Sequence, residues 1–419
     1  MSGTHPTVET DGGAVGVQER LVAPVTVLPS PGPSDGRRRR GATRSHRPFW
    51  RRHRRVGQVL LAVAVVLLLA LGIVGWSVGR ALTAPGTDSV AARLAEWGRD
   101  HGASSLIDAA ERWRYRQHPP RTGGALAGGI PDPAGAGAAA NPAGRNVAVR
   151  PLSPVPPVVS PALPDEGRWR TLATVGGRPA LQAAYLRPDA THTSYLAGVA
   201  WIDPKLLRFV LHPGTQEPGH GPWQLAPSLP TDRTGLVAAF NSGFRLAEAQ
   251  GGYYADRRTV GTLRAGSATL VINQDGSATV GQWGRDVSMT PSVAAVRQNL
   301  ALLVDGGHVV DGIDDNAGHR WGATLGNKLY VARSGVGVTA AGALVYASGN
   351  SLSAGTLADL LARAGCVRAM ELDINPDWTS FSYYEPIGGT ARKLLANMQR
   401  PANRYETTST RDFVAVYAR

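Results

Sequence analysis

The chain has 419 residues, with 44 Lys and Arg against 31 Asp and Glu, which at roughly 100–200 residues per domain accommodates two or three domains. Eleven basic and four acidic residues lie up to Arg55, so +7 of the net +13 sits in that tail and the pI does not describe a nucleic-acid-binding domain. The single cysteine, Cys366, excludes an intramolecular disulfide and any zinc site that needs more than one thiolate, and its apolar surroundings make it buried filler.

Residues 1–36 are polar and rich in Gly, Pro, Ser and Thr, a composition expected to be disordered. With the ten arginines between Arg37 and Arg55, residues 1–55 read as a basic cytoplasmic tail. From Val56 to Gly79 no charged residue occurs, and about 24 mostly apolar residues are long enough to cross a bilayer as a helix. The arginines on its N-terminal side orient it, with the N-terminus inside and the C-terminal domain extracytoplasmic in the cell envelope. A cleaved signal peptide fits less well, because its n-region and apolar core are both shorter. Basic runs also occur in nucleic-acid binders, but here no aromatic residues or reading module accompany the run, and no nucleic-acid partner is expected.

Residues 80–118 carry a helical pattern through Val90, Leu94 and Trp97 and then Leu106, Ile107 and Trp113, with Ser89 as a cap and Gly102 as an interruption. They read as a membrane-proximal helical stalk. Residues 119–164 are rich in Pro, Gly and Ala, as in a semi-extended tether.

From residue 165 to 419 short β-rich runs alternate with turn signals. Leu270–Ile272 with Ala278–Val280, Leu302–Val304 with His308–Val310, and Val336–Val338 with Leu344–Tyr346 read as hairpins. Thr356–Ala364 places Leu357, Leu360, Leu361 and Ala364 on one helical stripe, stopped by Gly365. It feeds a strand, Val367–Ile374. The expectation is an α+β domain with a β-rich mixed or antiparallel sheet core and a few packed helices.

Along an unbroken strand Glu371 and Asp373 share a face roughly 6.5–7 Å apart, and Asn375 continues it before Pro376. Two carboxylates on an apolar strand face either a polar site or cationic partners such as Arg333 or Arg368. Asn241-Ser242-Gly243-Phe244 ends a small apolar strand in a tight turn whose amides can face a ligand. Arg333 enters the Gly-rich strand Ser334-Gly335-Val336-Gly337, where its fork suits a phosphate or a carboxylate. The acidic loop Asp311–Asn316 lacks EF-hand spacing, and the histidines form no i, i+4 pair, so no metal or other cofactor is expected.

Taken in this order, Asn241-Ser242-Gly243-Phe244, Arg333-Ser334-Gly335-Val336-Gly337, the helix from Thr356 and Leu372-Asp373-Ile374-Asn375-Pro376 resemble the phosphodiester glycosidase family from about Arg168 to the C-terminus. Ser242 stands where the family has Gly, and Ile374-Asn375-Pro376-Asp377 replaces its Gly-rich turn, with one amide donor fewer at Pro376. The resemblance implies a membrane-anchored hydrolase of a sugar-1-phosphodiester on an envelope glycan. It carries over onto Asp373, Asn241 and Arg333. With the residues read beside them, Asp373 and Glu371 are the catalytic candidates and Asn241, Gly243, Arg333 and Asn375 the substrate-binding candidates, with His308 a lesser candidate helper that no motif supports. Acid, base and nucleophile roles stay open, because they depend on the carboxylate separation. The alternatives are an inactive glycan-binding or scaffold domain and a metal-dependent phosphodiesterase.

Overall fold

The computed structural model describes residues 50–132, 151–219, 221–315, 320–322 and 329–419. The expected disordered segment 1–36 and the tail up to Phe49 lie outside them, as do Asn316 and part of the tether. The chain divides into two units, Met1–Leu68 and Leu69–Arg419. Helix α1 (Trp50–Leu82) includes an apolar span, Val56–Leu82, with mean hydropathy 2.9 and none of it buried. That length and composition suit a membrane crossing.

In the second unit, Ser89 caps α2 (Val90–Asp100) by accepting the Ala92 N–H at 3.1 Å, and Gly102, at φ 79°, separates α2 from α3 (Ser104–Gln117). Arg93 reaches back to the Leu82, Gly86 and Asp88 carbonyls at 2.8–2.9 Å, which folds α2 onto the preceding link. The strands begin with β1 (Arg170–Val175), β2 (Arg178–Leu186), β3 (Ala197–Ile202), β4 (Leu207–His212) and β5 (Leu236–Asn241). After the short helix α4 (Leu246–Ala249) come β6 (Tyr253–Ala255), β7 (Arg258–Val260), β8 (Ala268–Asn273), β9 (Ala278–Gln282) and β10 (Val293–Gln298). Then follow β11 (Leu302–Asp305), β12 (His308–Val309), β13 (Val331–Thr339), β14 (Leu344–Leu352), α5 (Ala354–Arg363) and β15 (Cys366–Asp373). The last are β16 (Phe381–Glu385), β17 (Thr390–Lys393) and β18 (Phe413–Ala418).

These strands form three antiparallel sheets, ordered β1-β2-β3-β14-β13-β15-β11-β12, β7-β6-β10-β8-β9 and β17-β16-β5-β18-β4. The fold is α+β. All three expected hairpins form, as β8–β9, β11–β12 and β13–β14. Their turns use Gly276 at φ 77°, Gly306 at 59° and Gly342 at 83°, where a side chain would be strained.

The three sheets bury one core, with Leu181, Phe209, Val237, Phe240, Leu270, Tyr346 and Phe381 inside it. The other face of the largest sheet is covered by α5, capped by Ser353, whose hydroxyl accepts the Thr356 N–H at 3.0 Å. Leu357, Leu360 and Leu361 of α5 are fully buried, each contributing about 1.5–3 kcal/mol. The glycines of β13 answer to this packing: a Cβ at Gly335 would lie 2.9 Å from the Met370 carbonyl and 3.1 Å from Leu361.

Candidate active site

The C-terminal end of β15 carries the two carboxylates, but not as an unbroken strand. Ser334 pairs with Asp373 and the next residue, Gly335, with Glu371, so Leu372 is an extra residue in a β-bulge. The Asn299 amide fastens the bulge, donating to the Glu371 carbonyl at 2.6 Å and the Leu372 carbonyl at 3.1 Å. The single-face expectation assumed regular alternation, which a bulge interrupts, and the two carboxylates have different partners.

Glu371 pairs with Arg333 at 2.6 Å, both side chains being at most 2% exposed, and the Arg333 Nε–H donates to the Leu352 carbonyl at 2.9 Å. Burial pushes the Glu371 carboxyl up and the Arg333 charge and hydrogen bond pull it back. Asp373, also buried, accepts the Asn375 N–H at 2.8 Å, and its nearest cation is Arg411, at 3.9 Å. Burial, reinforced by the charges of Glu248 and Glu96 and opposed by Arg411 and the Asn375 N–H, raises the Asp373 carboxyl to about 7. A carboxyl titrating there can exchange a proton at neutral pH.

Asn241 ends β5 with both ends of its amide engaged. It donates to Ser334 Oγ and the Ser242 carbonyl, each at 3.0 Å, and accepts from Tyr346 Oη at 3.1 Å and the Ser380 N–H at 3.0 Å. The Asp373 N–H donates to the same Ser334 hydroxyl at 3.3 Å, so Asn241 reaches Asp373 through one serine. Gly243 is a close approach: a Cβ there would lie 3.1 Å from both the Arg297 guanidinium carbon and Asn299 Oδ1. Asn299 Oδ1 also accepts the Phe244 N–H at 3.2 Å, so one amide holds both the Gly243 turn and the bulge. Arg297 in turn pairs with Asp412 at 2.8 Å, both side chains 1% exposed.

Arg411, just ahead of β18, is the central cation. It pairs with Glu96 of α2 at 2.6 Å and lies 4.6 Å from the Trp378 ring centroid. Burial alone would depress its basicity, but Glu96, Asp373 and Glu248 together raise it. Beside it, Arg245 bonds Asp100 of α2 and lies 3.6 Å from Glu217, whose carboxyl is raised chiefly by burial. The segment expected as a stalk therefore sets one carboxylate, Glu96, on the arginine beside Asp373 and a second, Asp100, on Arg245.

Asn375 lies next to Asp373. Its Oδ1 accepts the Asp377 N–H at 2.9 Å and its carbonyl accepts from Trp378 and Thr379, a turn that stands in place of a glycine-rich one. His308 is exposed in the β11–β12 hairpin. Asp314, in the acidic loop, accepts the Gly355 N–H at 2.9 Å at the start of α5. Among the described residues no group of three or more His, Cys, Asp or Glu is placed to hold a metal. Sequence reasoning missed Arg411, Asn299 and Glu96. Its one available cue was the charged pair Arg411-Asp412 ahead of the apolar run Phe413–Ala418.

Residues 234–373 match the model of the phosphodiester glycosidase family, a segment that holds Asn241, Gly243, Arg333, Glu371 and Asp373 but not Arg411. Among solved structures, the chain is similar to the catalytic domain of zebrafish N-acetylglucosamine-1-phosphodiester alpha-N-acetylglucosaminidase, auto-inhibited by its pro-peptide. That similarity has 15% identity and a TM-score of 0.40, and covers 60% of this chain and 88% of that one. It is also similar to a hypothetical protein from Synechocystis at 12% identity and a TM-score of 0.33, over 58% of this chain and 63% of that one. A comparison with curated proteins finds no match.

Proposed function

Because the chain carries a phosphodiester glycosidase domain at residues 234–373, we propose that it hydrolyses a sugar-1-phosphodiester, with Asp373 transferring the proton and Arg411 facing the phosphate. The observation that carries this reading is the pair itself: a buried carboxyl raised to about 7, with a guanidinium 3.9 Å away. Cleavage of a glycosyl phosphate needs proton transfer at the anomeric centre and positive charge against the phosphate oxygens. This pair can supply both. Which proton transfer Asp373 performs is read from the pH dependence of turnover.

In this account Arg333 and Glu371 neutralise each other beneath the site and hold the end of β15 in place. Asn241 and Asn299 set the position of Asp373 through Ser334 and the bulge, Gly243 leaves room for Arg297 and Asn299, and Asn375 fixes the carboxylate by its N–H. The domain acts outside the cytoplasm on an envelope glycan, anchored by the apolar span Val56–Leu82, whose arginine-rich N-terminal flank favours the inside.

The test is the effect of Arg411→Gln and Arg411→Lys on release of free sugar from a panel of sugar-1-phosphodiesters by the full chain in detergent. The Gln variant should lose turnover by about 100-fold or more, on the order of one transition-state charge contact, with partial rescue by Lys. Turnover unaffected by Arg411→Gln would remove Arg411 from the site. The glycan-binding reading rests on the altered turn at Ile374–Asp377, and it predicts unchanged glycan binding with no sugar release by any variant.

A further inference from the structure

Three arginines converge on one indole. The guanidinium carbons of Arg400, Arg404 and Arg411 lie 5.0, 5.3 and 4.6 Å from the Trp378 ring centroid. All three residues are buried, and like charges gathered away from water require anions. At close range the chain supplies Asp88 and Glu96, with Asp373 3.9 Å from Arg411 and the Asp377 charge also acting on Arg400. Asp88 Oδ1 lies 2.6 Å from Arg400 Nη2, and Glu96 Oε1 lies 2.6 Å from Arg411 Nη2. Thr87 adds its carbonyl to Arg400 at 2.7 Å, and the Thr410 hydroxyl donates to Asp88 at 3.0 Å.

The cluster remains short of acceptors. Arg411 Nε is buried without a hydrogen-bond partner among the described residues. Among the described residues Arg404 donates only to neutral oxygens, the Ser380 hydroxyl at 3.2 Å and the Asp377 carbonyl at 3.3 Å. Burial, together with the neighbouring Arg404 charge, depresses Arg400 even with Asp88 beside it. Neutralising one phosphodiester next to Asp373 employs Arg411. Arg400 is held by Asp88, the Thr87 carbonyl and the Asp377 carbonyl, to which its Nε–H donates at 2.7 Å. Arg404, facing the same indole, has no carboxylate partner among the described residues.

Resting on the hydrolase reading, we propose that Arg400 with Arg404 is a second anion position adjoining Arg411, and that the substrate carries a second phosphate or carboxylate close to the cleaved diester. The substrate class is thus a polyanionic glycan. Asp88 and Glu96, two carboxylates of one segment, hold the two positions in the free chain, and substrate enters by displacing them. Arg400 is a binding residue in this account and takes no part in proton transfer.

Calorimetric titration of the full chain in detergent tests this with three probes: hexyl phosphate, hexanediol bisphosphate and a hexanoate bearing a terminal phosphate. In the Asp88→Asn/Glu96→Gln variant, at least one two-headed probe should bind about tenfold or more tighter than hexyl phosphate. The tighter of the two identifies the second group as phosphate or carboxylate. The unsubstituted chain should bind every probe more weakly, because its own carboxylates compete. Adding Arg400→Gln, or separately Arg404→Gln, should bring the ratio near one, with circular dichroism verifying the fold. Equal affinities for one- and two-headed probes in the double variant would overturn the proposal, as would a ratio that neither arginine substitution moves. Binding is read without turnover. A chain that hydrolyses diesters yet shows no preference refutes the second position alone, and an inert chain that keeps the preference refutes hydrolysis alone.

Discussion

Replacing Arg333 by Met leaves Glu371 buried without its cation. The pair is 2.6 Å apart, both side chains are at most 2% exposed, and Glu371 Oε2 already lacks a hydrogen-bond partner among the described residues. Removing one partner of a buried ion pair costs about 3–5 kcal/mol, because an uncompensated charge stays behind. For a domain of this size that lowers the midpoint of thermal unfolding by about 6–20 °C. Glu371 escapes part of the cost by taking up a proton, which burial already favours. Its folded pKa then stands above the unfolded value near 4.3, so the folded state holds the proton that the unfolded state releases. Stability relative to the unsubstituted chain therefore falls further as pH rises from about 4.5 towards 8. Arg333→Met/Glu371→Leu should recover most of the loss, since an apolar pair of similar volume removes both buried charges. Thermal unfolding followed by circular dichroism at pH 5 and pH 8 measures all three chains. An Arg333→Met midpoint within about 2 °C of the unsubstituted chain at both pH values would refute the structural role of this pair.

Asp373, raised to about 7 when folded and near 4 when unfolded, also makes stability fall as pH rises through that interval, by at most about 1.4 kcal/mol per pH unit. Asp373→Asn should flatten that slope in denaturant titrations, and an unchanged slope would remove the raised pKa. Asn299→Ala frees the Phe244 N–H and the Glu371 and Leu372 carbonyls in a buried setting, so a loss of about 1–3 kcal/mol per group left unpaired is expected in urea unfolding. Gly243→Ala pushes a methyl to 3.1 Å from Arg297 and Asn299, and should cost about 1–3 kcal/mol as overpacking and reduce sugar release with it. Reporter fusions after Leu82 should be active only outside the cytoplasm, whereas activity inside would reverse the proposed orientation.

The elements legible in the sequence were those whose signals are local. The hairpins carry turn residues between apolar runs, and α5 carries a three- and four-residue leucine spacing closed by Gly365. Helix α5 begins two residues before the expected Thr356, because Ser353 caps the turn that opens at Ala354. Strand β15 begins and ends one residue earlier than expected. The site was legible only in part. Asn241, Gly243 and Asp373 lie in motifs, whereas the bulge at Leu372 depends on Asn299, more than 70 residues away, which no local pattern marks. The partner of Arg411 is still farther off, since Glu96 precedes it by 315 residues. The pairing of Arg333 with Glu371 was visible as one of two options. The choice between them turned on burial, a tertiary property.

The most direct test is release of free sugar from the sugar-1-phosphodiester panel by the full chain carrying Glu96→Gln, beside the same chain with Asp373→Asn added. Turnover on at least one diester is expected, with a pH limb above the ordinary carboxylate range and below that of the unsubstituted chain, because the Glu96 charge that helps raise Asp373 is gone. That turnover should be lost in the folded Asp373→Asn chain. Turnover that survives Asp373→Asn with the limb in place would contradict this role of Asp373.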